Sequence, residues 1–201
     1  MRKLFKLILL SCTLLLLAAC SMNTGEAASV DEVKMDEVEQ QLMASLMDQY
    51  FFYELKIKDQ DIRNIYWGID VYRKGKLVQE KPFGSTPLDK DDVQKPVKLF
   101  IARQAKDIPE AKWISTVYKA SGNFGITAPD DMAKYLKDKP TGGQTGPYPL
   151  TLKKGKKKVL SHITATDKDD SYQDAPKETK KEIEALPQRY DTVFSVWIKL
   201  K

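Results

Sequence analysis

Histidine and cysteine are scarce in this sequence, which contains one histidine and two cysteines among 201 residues. Metal sites of the common kinds need several histidine, cysteine or carboxylate ligands at set spacings. Neither a His-x-x-x-His nor a Cys-x-x-Cys pattern occurs. The sequence therefore predicts no metal centre of these kinds and no cofactor.

Signatures of catalytic and phosphate-binding loops are also missing. No Gly-x-Ser-x-Gly motif marks a serine nucleophile, and the glycine-rich stretch 142–146 lacks the Lys-Ser/Thr ending of a phosphate-binding loop. A Ser–His–Asp site would have to use His162, which lies in a strand pattern and is interpreted as a packed strand residue. No catalytic residue is predicted, and a carboxylate pair brought together only by the fold stays open as an alternative.

The first twenty residues carry the most specific pattern in the chain. Arg2, Lys3 and Lys6 form a basic start, and the apolar run 7–17 leads into Leu17-Ala18-Ala19-Cys20. A basic start followed by an apolar run of about 7–15 residues is typical of an export signal. The run is too short to span a bilayer, which takes about 20 residues.

Two small residues before a cysteine resemble the lipobox of bacterial lipoprotein precursors. The resemblance implies cleavage between Ala19 and Cys20 and attachment of a diacylglycerol to the Cys20 thiol. Because two acyl chains anchor a protein stably, the remainder is expected on the outer face of a cell membrane. Its lysine-rich single domain favours a one-membrane bacterium, and Ser21 leaves outer-membrane sorting in a two-membrane bacterium open.

Removal of the predicted leader, residues 1–19, leaves nearly equal numbers of basic and acidic side chains. Loss of Arg2, Lys3 and Lys6 lowers the 33 basic residues to 30 against 28 acidic ones, so the net charge falls from +5 to +2. A nucleic-acid-binding domain is usually strongly basic. The sequence therefore predicts no nucleic-acid partner. With Cys12 removed and Cys20 acylated, the domain is also expected to fold without a disulfide.

Period-two alternation of apolar residues dominates the chain after residue 49 and predicts strands. Two glycine-centred hairpins are predicted, at Tyr72–Val78 and around the lysine run 153–158. The sequence therefore predicts a mainly β domain over residues 30–201, an antiparallel β-sandwich or open barrel with one or two short helices. The clearest strand patterns are those of residues 51–57, 65–71, 97–101, 113–118 and 192–200.

The segment before the first of these strands has two predicted parts. Residues 20–29 are small and polar and predict a flexible tether. Residues 30–49 predict an amphipathic helix, because Met35, Val38, Leu42 and Leu46 follow a helical spacing behind acidic first turns. This helix is expected to cover part of a sheet.

The irregular stretches predict turns and short helices. Residues 82–87 and 140–149, rich in proline and glycine, predict turns or loops. Short helices are predicted over residues 130–137 and 176–186.

A lysine run is the densest charge feature of the sequence. It can bind anionic lipid headgroups or cell-wall polyanions. It can equally be a solvated hairpin tip that protects a sheet edge, which is the favoured interpretation. The candidate polyanion-binding residues are Lys153, Lys154, Lys156, Lys157 and Lys158.

An acidic segment partly matches a calcium-binding loop. Tyr172 stands where such a loop needs glycine, and Pro176 interrupts it, so the start of a capped helix is favoured over calcium binding. The residues at the first, third, fifth and twelfth loop positions are Asp167, Asp169, Ser171 and Glu178.

The three tryptophans, Trp67, Trp113 and Trp197, fall inside strand patterns and are predicted to pack in the core, with an aromatic platform for a carbohydrate as the alternative. Together these features predict a membrane-anchored, non-enzymatic binding module outside the cell. Its partner is expected to be an envelope protein or cell-wall polymer. The open alternatives are a carboxylate-dependent envelope hydrolase and a polyanion-binding lipoprotein.

Overall fold

The structure is a computed structural model that describes residues 25–104, 110–136, 141–145, 148–166, 185–187 and 189–201. The helix α1 covers Glu37–Leu46, and 3-10 helices cover Asp92–Gln94 and Ala133–Tyr135. The strands are β1 (Ala28–Glu32), β2 (Gln49–Ile57), β3 (Asn64–Arg73), β4 (Lys76–Pro87), β5 (Val97–Gln104), β6 (Lys112–Lys119), β7 (Gly122–Pro129), β8 (Thr141–Thr145), β9 (Leu150–Leu152), β10 (Lys157–Ala165) and β11 (Thr192–Leu200).

The strands form two antiparallel sheets. The six-stranded sheet has the order β7-β6-β5-β2-β1-β9, and the five-stranded sheet has the order β4-β3-β11-β10-β8. The two sheets are separate and do not close into a barrel within the described residues, so the predicted mainly β, sandwich-like architecture is confirmed.

The core lies between the sheets and follows the predicted alternation. Phe51, Tyr53, Leu55 and Ile57 of β2 are buried, while the residues between them are more exposed. The predicted inward faces of β3, β5, β6 and β11 are buried in the same way. Each fully buried large apolar side chain stabilises the fold by about 1.5–3 kcal/mol.

Two buried hydrogen bonds connect the sheets through this core. The Trp67 indole N–H on β3 donates to Ser115 Oγ on β6 at 3.0 Å. The Tyr53 hydroxyl on β2 donates to Ser161 Oγ on β10 at 2.6 Å. Both polar groups are thereby satisfied in an apolar setting, as burial requires.

The N-terminal segment differs from its prediction. β1 begins at Ala28, inside the predicted tether, and Ala27 and Ala28 are buried. β1 pairs with β2 on one side and β9 on the other. β1 has only five residues, so its alternation of apolar and polar side chains is a weaker signal than the longer helical spacing that follows. The predicted helix therefore wrongly included residues 30–36.

The predicted helix exists but does not cover a sheet. An Asp36–Glu39 capping box fixes the start of α1, as the acidic residues indicated. None of its residues is buried. The prediction that its apolar face packs on a sheet is therefore wrong. The helix forms the connection between β1 and β2, and its apolar side chains face solvent.

One of the two predicted hairpins is confirmed. Residues 72–78 turn from β3 into β4, with Lys74 and Gly75 at positive φ angles of 48° and 76°. The lysine run is not a hairpin, because β9 belongs to the six-stranded sheet and β10 to the five-stranded sheet. Residues 153–156 instead carry the chain from one sheet to the other.

Besides β1, three strands were missed wholly or in part, and these three lie at sheet edges. β7 had no predicted strand, β8 fell in the predicted loop 140–149, and β4 continues through the predicted turn 82–87. Glycine and proline weaken the pattern there, and edge strands tolerate both. The predicted helix 130–137 is only a 3-10 turn, and of the predicted helix 176–186 only residues 185–186 are described.

Candidate functional site

The chain's one histidine lies on the outer face of the five-stranded sheet, which points away from the other sheet. The register places His162 of β10 opposite Ser195 of β11, and Ser195 opposite Asp70 of β3. His162 Nδ1 lies 2.9 Å from Ser195 Oγ. All three residues are more than nine-tenths buried, so this outer face is covered rather than open to solvent.

Lys157, the first residue of β10, extends across the same face. Its Nζ donates to Asp70 Oδ2 at 2.7 Å and to Glu80 Oε1 at 3.2 Å. It also lies 4.4 Å from the centroid of the Trp197 ring, a cation–π distance. Burial alone would lower the pKa of the Lys157 ammonium, but its hydrogen bonds to Asp70 and Glu80 raise that pKa above its ordinary value.

We call Asp70, Lys157, His162, Ser195 and Trp197 the polar cluster. Among the described residues, the buried side-chain atoms that lack a hydrogen-bond partner are Asp70 Oδ1, His162 Nε2 and Trp197 Nε1. All three therefore belong to this cluster. An unsatisfied buried polar group costs about 1–3 kcal/mol, and a buried water commonly supplies the hydrogen-bond partner at such a site.

The polar cluster does not have the geometry of a catalytic triad. In a triad the imidazole lies between the serine and the carboxylate, which orients it. Here Ser195 lies between His162 and Asp70, and the Asp70 carboxylate contacts Lys157 instead. Burial lowers the pKa of His162 to about 4, so the ring is neutral at physiological pH. Its hydrogen-bond partner among the described residues is the uncharged Ser195.

The lysine run is divided by the fold. Lys153 and Lys156 are exposed in the turn between the sheets, whereas Lys157 belongs to the polar cluster. Lys154 Nζ lies 3.9 Å from Asp59 Oδ2, an exposed pair of little energetic weight. Lys157 therefore has acidic partners on the sheet, while Lys153, Lys154 and Lys156 are exposed in the turn.

A second buried carboxylate holds loops together. Asp92 accepts hydrogen bonds from the Asp89 and Ser121 backbone N–H groups, the Ser121 hydroxyl and Lys119 Nζ. Burial alone would raise the pKa of this carboxyl, but the hydrogen bonds outweigh it and lower the pKa to about 2. The group therefore ties the 3-10 turn before β5 to the turn between β6 and β7.

Replacing Asp92 with asparagine is expected to lower the free energy of unfolding by about 2 kcal/mol at neutral pH, the value of its pKa shift. The depressed pKa means that this stability is present above the ordinary carboxyl pKa and is lost as pH falls towards 2. Urea denaturation at pH 7 measures the change. Asp91→Asn, at the exposed neighbouring position, is the control, and equal losses in both variants would contradict the assignment.

The other polar contacts have structural roles. Asp130 accepts from Arg103 Nε at 2.6 Å and from the Trp113 indole N–H at 2.9 Å. No group of three or more metal-ligating side chains occurs in the part of the chain that the structure describes. These contacts have no local sequence signature, because their partners are distant along the chain.

Residues 29–200 match the YgaN domain. This chain belongs to the YgaN domain family. No curated protein and no solved structure is significantly similar to the chain. The match coincides with the sandwich: it begins within β1 and ends at the last residue of β11.

Several predicted site residues lie outside the part of the YgaN chain that the structure describes. They are the cleavage and lipidation residues Ala19 and Cys20 and the calcium-loop candidates Asp167, Asp169, Ser171 and Glu178. Among the described helices, none has the length and hydrophobicity needed to cross a bilayer.

The tryptophans of the YgaN domain form no exposed platform. Trp67 and Trp113 are buried in the core, and Trp197 is buried in the polar cluster. A cluster of partly exposed aromatic side chains lies instead on the outer face of the six-stranded sheet. There Phe52 contacts Phe100 and Tyr118 edge-on, with ring centroids 6.0 Å and 6.3 Å apart.

Proposed function

We propose that this YgaN protein is a bacterial lipoprotein, anchored through Cys20 to the outer face of the cell membrane. Its β-sandwich acts there as a non-enzymatic binding module for an envelope partner. The observation that carries the proposal is the leader, in which a basic start, an apolar run and Leu17-Ala18-Ala19-Cys20 occur together.

The described domain supports a module held close to its anchor. β1 begins at Ala28, so few residues separate it from Cys20. Because an extended chain spans at most about 3.5 Å per residue, this connecting segment is short. Diacylglycerol provides the two chains that stable anchoring takes. A partner would therefore meet the sandwich near the membrane surface.

The non-enzymatic part of the proposal is supported by the carboxylates. A glycosidase pair needs room for the sugar, and in the inverting case for a water, between its two carboxyl groups. The buried Asp70 and the exposed Glu80 lie on either side of Lys157, whose ammonium occupies the space between the two carboxylates. The buried Asp92 and Asp130 each bind a cationic side chain and backbone N–H groups of their own fold.

The Cys20→Ser variant tests the anchor. We expect it to lose lipid attachment and move from the membrane fraction to the soluble fraction, because a serine hydroxyl replaces the thiol that takes the diacylglycerol. Metabolic labelling with a radioactive fatty acid and fractionation of the producing cells measure both effects.

The matched control is Cys12→Ser, which changes the other cysteine inside the apolar run. This variant is expected to be labelled and retained like the parent. If Cys20→Ser were processed and retained as the parent is, the proposed anchor would be wrong.

A further inference from the structure

Helix α1 presents an unpartnered apolar stripe to solvent. Val38, Leu42 and Leu46 recur every four residues and are 74%, 58% and 46% exposed. In a globular domain such a stripe normally faces the core. Met43, which points away from the stripe, is the half-buried apolar residue of this helix.

The helix is preformed and held in place. The Asp36–Glu39 capping box closes its first turn, with hydrogen bonds of 2.8 Å and 3.0 Å. Val33 N donates to Phe52 O before the helix, and Asp48 N donates to Arg103 O after it. A rigid, preformed element loses little conformational entropy on binding, so α1 is suited to dock as it stands.

The stripe lies in an acidic setting. Residues 31–48 contain six acidic side chains and one lysine, a net charge of −5, although the whole chain carries +5. Asp48 pairs with Arg103 and Asp31 with Lys56, so the exposed negative charge beside the stripe comes from α1 itself. Glu37 and Glu39 of α1 are exposed, and α1 itself contains no basic residue. A complementary surface must therefore supply both an apolar groove and positive charge.

This charge distribution discriminates between the kinds of partner that could cover the apolar stripe of α1. Helices that lie on membranes carry lysine and arginine on their polar face, and an acidic helix is repelled by anionic lipids. A second copy of α1 offers no cation to meet Glu37 or Glu39. A different protein with a basic rim satisfies both requirements.

We propose that α1 docks, through Val38, Leu42 and Leu46, into an apolar groove bordered by lysine or arginine on another extracytoplasmic protein. The mode is that of an amphipathic helix in a groove, with anchors at positions i, i+4 and i+8. The inference rests on the proposed function, because it names the kind of partner that the anchored module binds.

The test places a photoreactive amino acid at Leu42 of the full chain in its producing cells, and at Ala44 as a control on the opposite side of α1. Ala44 is exposed. We expect an adduct from position 42 and not from position 44. Mass spectrometry is expected to identify a crosslinked peptide of a different protein that contains lysine or arginine beside apolar residues.

Two variants make the result specific. Val38→Ser combined with Leu46→Ser is expected to reduce the position-42 adduct about tenfold or more, because it removes both flanking anchors. Glu37→Lys is expected to reduce it about fivefold through the lost charge pairing. The changed side chains are exposed, so unchanged thermal melting of each variant shows that the fold is intact.

An adduct with lipid, an adduct with a second copy of this chain, equal yields at positions 42 and 44, or no adduct would each overturn the inference. Insensitivity to Glu37→Lys would overturn it too. The fractionation of Cys20→Ser is a separate readout. If that variant stayed in the membrane while position 42 still captured the basic-rimmed protein, the proposed anchor would fail and the docking surface would stand.

Discussion

Gly68→Ala is expected to lower the free energy of unfolding by about 3 kcal/mol, through overpacking against atoms that cannot move aside. A Cβ built on Gly68 would overlap the Lys81 carbonyl oxygen and lie 2.8 Å from Pro82 Cα, both backbone atoms of β4. It would also lie 2.7 Å from Cζ2 of Trp197. Strand β4 or the tryptophan must shift, which disturbs the polar cluster.

A matched control exists in the other sheet. Gly125 of β7 is also a strand glycine, but a Cβ there would lie 3.5 Å from Thr116 Oγ1, an ordinary contact. Gly125→Ala is therefore expected to change stability by less than about 1 kcal/mol. Urea denaturation of both variants at one pH measures the difference, and similar losses would show that the close approach at Gly68 is not the cause.

Acidification from pH 6.5 to pH 4 is expected to remove about 3 kcal/mol of stability through His162 alone. Burial lowers the pKa of its imidazole from 6.5 to about 4 in the folded state. The unfolded chain therefore binds a proton in this window while the folded chain does not. The stability is fully present above pH 6.5, falls steadily through the window and levels off below pH 4.

This prediction can be assigned to one group, because His162 is the only histidine of the chain. Denaturation curves between pH 7 and pH 4 are compared for the parent and for His162→Gln, which cannot titrate there; the slope, not the absolute stability, is the readout. NMR titration of the single imidazole checks the cause. A ring that titrates near its ordinary pKa, or a variant that keeps the parent's slope, would refute it.

The sequence predicted the central strands well, because β2, β3, β5, β6 and β11 each bury one face against the opposite sheet. Their alternation is the direct consequence of that burial. The pattern failed where little or nothing is buried. The edge strands β4, β7 and β8 carry glycine and proline, and the apolar residues of α1 face solvent although their spacing is typical of a packed helix.

The polar cluster could not be predicted for a different reason. Asp70, His162 and Ser195 are adjacent only because β3, β11 and β10 are neighbours in the sheet, and no local motif encodes that order. Lys157 was grouped with the lysines before it, although β10 begins at this residue and directs it across the sheet. Single-sequence patterns report which face a residue takes and not which strand lies beside it.

The position of β1 has a mechanical consequence. It lies between β2 and β9 and bonds to both. Tension applied along the polypeptide ahead of Ala28 would be shared by hydrogen bonds on both flanks of the strand and would act on them together. A strand at the rim would instead be peeled off one bond after another. The N-terminal end of the described domain is thus built to resist shear.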